Sequence, residues 1–503
     1  MKNFCYLVFT SWILGACATE KSPLSVEELS ISEIHQAFLT KKYTAEELVE
    51  AYILRIEESD SLLNAISVIN PAAIIRARQL DQEFVKTGKL RPLHGIPVLV
   101  KDNINTLGLP TTAGALALAD FIPKTDSFII KELEEAGAIV LAKTNMAEWA
   151  FSPMHSESST QGTTRNPYNL DHVPAGSSGG TGAGIAANFG TIGLGTDTGN
   201  SIRGPSSHNA LVGFRTTLGL ISREGIVPLY LRNDVVGPMT RTVEDAVRML
   251  DVIAGYDEKD PITANSNGKI PASYQTFLDE NGLKGARIGV FRTLSENDPH
   301  PEISNLFNQA LEDLGKLGAE ILDSVEVENF AELRQNQWCG TFKQDLEDFL
   351  QTYVKRDSMS RLEDVIRVGT RSEFAKSRLQ QFSSNQRQEQ EDPCGDAFTD
   401  PRRIAFRQAI EKTMDSLNLD ALVYPSWNHP AAKIDRFQQE YRGDNSQIIA
   451  PHTGQPAFTV PMGFVSGNLP AGLQFLGRMF DEGTLIRLTY SYEQGTNHRR
   501  SPK

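Results

Sequence analysis

Apolar and polar positions along the chain alternate between helical and strand-like stretches. At 44–56, the pattern Thr44-x-x-Glu47 precedes Leu48, Tyr52 and Ile56, which recur at one-turn spacing. That is a capping box followed by an amphipathic helix. Residues 95–100 form an unbroken apolar run after a turn, so they predict a buried strand with Lys101 at its C-terminal end. A helix over 127–136 and a second buried strand over 138–142 follow. Small residues over 179–189 predict a helix, and 193–195 predict a strand ending in a glycine-rich loop. The second half repeats the pattern, with a helix over 244–253, a strand over 287–291, a helix over 303–317 and a strand over 421–424. This order predicts an α/β fold, a single large domain with a mixed, mostly parallel central sheet covered by helices on both faces. The polar, acidic stretch around 383–396 predicts a solvated surface insertion.

Composition is that of a globular protein, with 40% hydrophobic and 22% charged residues in 503. The net charge of −14 argues against a nucleic-acid or anionic-membrane surface. Residues 4–16 are mostly apolar. The run is shorter than the ~20 residues a membrane-spanning helix needs, and it fits the apolar region of a secretory signal. It ends in Leu14-Gly-Ala-Cys17, which resembles the lipobox of bacterial lipoproteins. The expectation is a lipoprotein-type signal peptide over 1–16, a lipid-anchored tether over 17–25 and a main domain over 26–498. Ala18 rather than Asp after the cysteine implies the outer membrane, on its periplasmic side. The lipid would be the only membrane attachment. Cys339 and Cys394 then form either one disulfide or two free thiols. No cysteine or histidine spacing suggests a metal site, and no cofactor is expected.

Three features between 95 and 205 carry candidate chemistry: Lys101 at a strand end, Ala175-Gly-Ser-Ser-Gly-Gly180, and the glycine-bordered loop ending in Ser201. Strand ends of α/β sheets are where catalytic groups gather. These segments resemble the amidase signature family. The resemblance includes His94-Gly-Ile-Pro-Val-Leu-Val-Lys-Asp102, Ala142-Lys-Thr-Asn-Met-Ala-Glu148, the 195–205 stretch and Val236-Gly-Pro-Met-Thr-Arg241. Near the end, Gly454-Gln-Pro-Ala457 and Leu473-Gln-Phe-Leu-Gly-Arg478 fit as well. The resemblance implies a Ser–Ser–Lys triad, with Ser201 as nucleophile and Lys101 as base. Ser177 is the bridging serine, since it lies 24 positions before Ser201, the spacing the family uses. The chemistry is consistent with this. A serine hydroxyl needs a base, and a lysine serves as one only when burial lowers its pKa. The backbone N–H groups of Thr198, Gly199, Asn200 and Ser201 would form the oxyanion hole.

Other residues take lesser roles in this reading. Lys143 is the rival base. Ser178 supports the site by local hydrogen bonding, and Asp197 and Arg203 form an ion pair or a backbone brace. His155, His172, His208 and His452 are not needed and are expected to be surface or satisfied polar residues. Met146, Trp149 and Phe151 line the acyl pocket or belong to the core. Two departures from the family stand out. Asn200 occupies the second position of the usual Gly-Gly-Ser, and Asn best tolerates left-handed backbone among residues with a side chain. Arg215-Thr-Thr217 replaces the common Lys-Pro-Thr, which reads as a structural change. The expected activity is hydrolysis of small-molecule or peptide amides to a carboxylate and ammonia or an amine. The alternatives are a protein like the A subunit of the tRNA-dependent amidotransferases, or a non-catalytic tethered binding protein of the same fold. Specificity is expected to come from 222–235 and 333–395, outside the matched motifs.

Overall fold

The computed structural model describes residues 24–384 and 394–503. The expected signal-peptide segment, Cys17 and most of the tether lie outside the described residues. The capping box is present: Thr44 Oγ1 accepts from the Glu47 N–H at 3.1 Å, and the Thr44 N–H donates to Glu47 Oε2 at 3.0 Å. It opens the helix Ala45–Leu63, which buries Leu48, Tyr52 and Ile56. The helices expected over 127–136, 244–253 and 303–317 are found at Phe128–Glu135, Val243–Ile253 and Pro301–Lys316.

The strands, in chain order, are β1 (Ile66–Ile69), β2 (Pro97–Lys101), β3 (Ile139–Thr144), β4 (Glu157–Ser158), β5 (Gly162–Thr163), β6 (Ile192–Asp197) and β7 (Val212–Arg215). They continue with β8 (Val235–Thr240), β9 (Arg287–Val290), β10 (Glu320–Leu322), β11 (Ala421–Pro425), β12 (Ala457–Val465) and β13 (Leu469–Leu476). All but the β4–β5 pair join one sheet in the order β1-β3-β2-β6-β8-β7-β12-β13-β11-β9-β10. The sheet is mixed and flanked by helices, as the alternation predicts. Antiparallel neighbours outnumber parallel ones among the described residues, six pairings to four, which corrects the mostly parallel expectation. Besides the β1–β3 pair, the strands responsible are β8, β12 and β13. They are buried along almost their whole length. A strand covered on both faces shows no period-two pattern, so its direction cannot be read from sequence.

Two parallel pairings matter for function. β2 lies beside β3 and β6 in parallel, with Val98 opposite Ile192 and Val100 opposite Leu194. The C-terminal ends of β2 and β6 therefore open on the same sheet edge, bringing Lys101 to the 198–201 loop. The helix Gly179–Ala186 packs directly over these strands. A Cβ on Gly193 would lie 2.6 Å from Thr181 Cγ2, so only glycine allows this approach.

A buried ion cluster holds the end of β6. Asp197 Oδ1 accepts from Arg215 Nη1 at 2.8 Å, and Oδ2 accepts from Arg203 Nε at 3.1 Å and from the Ile202 N–H at 3.1 Å. All three charged side chains have no solvent exposure. Arg203 Nη2 also donates to Gly199 O at 2.6 Å, and Arg215 Nη1 donates to Asp197 O at 2.6 Å. Loop 198–202 is thus folded back over one carboxylate. Burial pushes the Asp197 carboxyl up, but the two guanidiniums outweigh it and hold the group at about 2.

Cys339 and Cys394 are disulfide-bonded, with Cα atoms 6.1 Å apart. The bond anchors the far end of the polar stretch that follows the helix Glu373–Ser384. That helix takes in Ser383 and Ser384, the first two residues of the stretch expected as an insertion. Residues 385–393 lie outside the described residues.

Three outcomes are expected in denaturant unfolding. Asp197→Ala leaves two buried guanidiniums uncompensated and lowers stability by about 3–5 kcal/mol. The wild-type contribution of Asp197 is fully present above the unfolded carboxyl value of about 3.9 and fades as pH falls toward the folded value. Replacing Cys339 and Cys394 by Ser removes a link across 55 residues and lowers stability by about 2–4 kcal/mol.

Candidate active site

Lys101 is fully buried at the end of β2. Its Nζ lies 2.7 Å from Ser177 Oγ, 2.7 Å from Thr196 Oγ1 and 3.3 Å from Thr196 O. Burial pushes the ammonium down to about 7, against the pull of Asp197 and Asp234. A lysine in this state exchanges a proton near neutral pH. Lys143, the rival, is engaged elsewhere. Its Nζ donates to Ile104 O at 2.7 Å and Thr111 Oγ1 at 2.9 Å, and it lies 3.7 Å from Asp102 Oδ1. It makes no hydrogen bond to either Ser177 or Ser201.

Ser177 follows a cis peptide bond from Gly176 and precedes the helix Gly179–Ala186. Ser178 Oγ donates to Thr196 O at 3.1 Å, so it braces the end of β6. Ser201 is buried, and its Oγ donates to Asn200 Oδ1 at a long 3.5 Å. No hydrogen bond joins Ser201 to Ser177 in this structure. The N–H groups of Gly199, Asn200 and Ser201 donate to no acceptor among the described residues. These residues, with Thr198, line a cavity of about 550 Å³. Unpaired N–H groups beside a hydroxyl in a cavity can bind an anionic oxygen.

Asn200 does not use its tolerance of left-handed backbone, because its φ is not positive. Its side chain is what matters. Nδ2 donates to Asp444 Oδ2 at 2.9 Å and to Pro153 O at 3.3 Å, which leaves Oδ1 facing Ser201. Asp444 Oδ2 also accepts from Gln447 Nε2 at 2.8 Å and from the Tyr441 hydroxyl at 3.1 Å. Burial pushes the Asp444 carboxyl up to about 7, partly opposed by the donors from Gln447 and Tyr441 and by Arg203.

Several of these residues escape a sequence reading. Thr196 looks like one more residue of a glycine-rich strand, yet its Oγ1 also accepts from Asn103 Nδ2 at 3.1 Å. Asp234 accepts from the Thr198 hydroxyl at 2.5 Å and from the Leu229 N–H at 2.9 Å, so it ties the loop to the cavity wall. Asp444 lies 243 positions after Ser201 and carries no local signal. The cavity walls do come from the two expected stretches, with Leu229 and Tyr230 from one and Trp338, Phe374 and Phe382 from the other. Phe151 lines the cavity, whereas Met146 and Trp149 are core residues. His155, His208 and His452 are buried rather than on the surface, and burial pushes His208 and His452 down to about 3. No group of three or more metal-binding side chains occurs among the described residues.

Comparisons with known proteins show the family. Residues 47–486 match the Amidase family. A probable amidase of Arabidopsis thaliana is 34% identical over 96% of this chain and 93% of its own length. The A subunit of the glutamyl-tRNA(Gln) amidotransferase of Desulforamulus reducens is 32% identical over 94% of this chain and 98% of its own. Among solved structures, the native peptide amidase of Stenotrophomonas maltophilia superposes with a TM-score of 0.83 at 34% identity, covering 95% of this chain and 99% of that one. The buried lysine, the paired serines and the sheet that gathers them therefore stand in a chain that belongs to the amidase family.

Proposed function

We propose that this member of the family hydrolyses primary carboxylic amides, including C-terminal amides of peptides, through an acyl-enzyme on Ser201. The observation that carries the reading is Lys101 Nζ at 2.7 Å from Ser177 Oγ, in a buried setting that favours the neutral amine. In the resting state Ser201 rests on Asn200 Oδ1. When an amide enters, Ser201 Oγ turns towards Ser177 and attacks the carbonyl carbon. The Ser201 proton passes to Ser177, and the Ser177 proton passes to Lys101. The N–H groups of loop 198–201 stabilise the oxyanion. Lys101 returns the proton through Ser177 to the leaving nitrogen, the C–N bond breaks and ammonia departs. Water then attacks the ester by the same relay, releasing the carboxylate and restoring Ser201. Thr196 and Ser178 act by positioning, since they hold Lys101 and the end of β6.

Export to an oxidising compartment belongs to the same proposal. The apolar 4–16 run and the Cys339–Cys394 disulfide support it. Likeness to the amidotransferase subunits keeps glutamine hydrolysis as the alternative reading.

A fluorophosphonate probe tests the nucleophile. The expected adduct is on Ser201 and is absent from Ser201→Ala. A folded protein that is not labelled, or is labelled elsewhere, overturns the assignment. Ammonia release from a panel of amides then compares peptide amides with free glutamine, and faster turnover of glutamine favours the alternative. The kcat/KM for the preferred amide is expected to rise as pH increases through about 7, because only neutral Lys101 accepts the proton. Lys101→Met is expected to lose this limb and about 10⁴-fold or more in kcat. Asn200→Ala releases the oxyanion loop from Asp444. It is expected to lower kcat by about 10²-fold with a smaller change in KM, measured by steady-state kinetics.

A further inference from the structure

Among the described residues, the wall of the substrate cavity has one charged side chain, Arg378. It lies on the helix Glu373–Ser384, where Phe374, Arg378, Gln381 and Phe382 recur at one-turn spacing and face the cavity together. Most other large side chains of the wall are apolar or aromatic, including Phe151, Leu229, Tyr230 and Trp338, and Gln381 and Gln447 are polar and neutral. No carboxylate pairs with Arg378 among the described residues, although the chain carries 63 Asp and Glu against 49 Lys and Arg.

The guanidinium, on a half-buried side chain, touches two neighbours on its own helix. Its carbon sits 5.0 Å from the centre of the Phe382 ring, and Nη1 donates to Gln381 Oε1 at 2.7 Å. The Phe382 ring is itself fixed by Phe342 and Phe151, with ring centres 5.0 Å and 5.4 Å away. Nε is buried and has no hydrogen-bond partner, and Nη2 donates to no described residue. Nε and Nη2 form the edge of a guanidinium that takes a carboxylate side-on with two parallel hydrogen bonds. A buried donor without a partner costs free energy that an arriving anion recovers.

We propose that Arg378 forms an anion subsite in the substrate cavity, and that the preferred substrates are peptide amides whose acyl part carries a side-chain carboxylate. The assignment to the acyl part rests on the amidase reading above. With ammonia as leaving group, the acyl part is what fills the cavity beyond Ser201. Phe374, Tyr230 and Trp338 then contact the apolar portion between the amide and the anion.

The test uses N-acetyl-dipeptide amides with Glu, Gln or Lys at either residue, and the variants Arg378→Met, Arg378→Lys and Arg378→Glu. Wild type is expected to favour a Glu peptide over its Gln counterpart by about tenfold or more in kcat/KM. Arg378→Met brings that ratio close to one, Arg378→Lys gives an intermediate ratio, and Arg378→Glu turns the preference toward Lys. Calorimetric binding of the same peptides to Ser201→Ala reads the subsite without turnover, so loss of the amidase reading and loss of the subsite are separable. Hydrolysis of neutral amides with no preference for Glu overturns the subsite alone. Absence of any amide hydrolysis, with tighter binding of Glu peptides, overturns the reaction alone. A Glu-to-Gln ratio that Arg378→Met leaves unchanged in both assays overturns the role of Arg378.

Discussion

The active region depends on one buried carboxylate. Asp197 ends β6, and its two oxygens receive Arg203, Arg215 and the Ile202 N–H. Removing such a group from water is costly, so the cluster persists only because each charge has a partner and each partner is also bonded to backbone. That reciprocity shapes the site. Arg203 reaches Gly199 O and Arg215 reaches Asp197 O, so the 198–202 loop takes the one path that satisfies both guanidiniums. The path leaves the N–H groups of Gly199, Asn200 and Ser201 without acceptors among the described residues, in a stretch that lines the cavity. The cluster also reaches outward, since Arg203 donates to Gln474 on β13 and Arg215 to Asn233 O just before β8. Strands distant in sequence are locked to the same carboxylate.

Lys101 shows the complementary use of burial. Asp197 pairs with guanidiniums and stays charged, while Lys101 has no carboxylate in contact and is pushed toward the neutral form. The same dry interior leaves one group charged and pushes the other toward its neutral form, and the difference lies in the partners each is given. Lys143 differs in its partners more than in its titration, since burial pushes it down as well, to about 8. It is equally buried and on the adjacent strand, but Asp102 and three oxygen acceptors surround it. Its role is to hold the 104–111 loop.

Asn200 shows how a departure from a family pattern is absorbed. A side chain beside the proposed nucleophile has to go somewhere, and here its amide is held by Asp444 and Pro153. The carboxamide turns one face to that anchor and the other to Ser201 Oγ. A position that holds glycine in the family pattern becomes a connection between the 198–201 loop and the far wall of the cavity, where Tyr441 and Gln447 share the same carboxylate.

Much of this protein was legible in its residues alone. The capping box at Thr44, the apolar run ending at Lys101 and the glycine-bordered loop at Ser201 are local patterns, set by neighbours within a few positions, and the structure has them where they were expected. Sheet direction was not legible, because β8, β12 and β13 are buried on both faces and carry no alternation. Nor were the roles of Thr196, Asp234 and Asp444, whose partners lie across the sheet or hundreds of positions away. The pairing of Cys339 with Cys394 was open for the same reason, since sequence does not carry the separation of two Cα atoms. Residue types and local periodicity determined which groups were available for chemistry. Long-range packing decided which of them are dry, which are paired and which face the cavity, because desolvation and hydrogen bonding depend on neighbours that only the folded chain brings together.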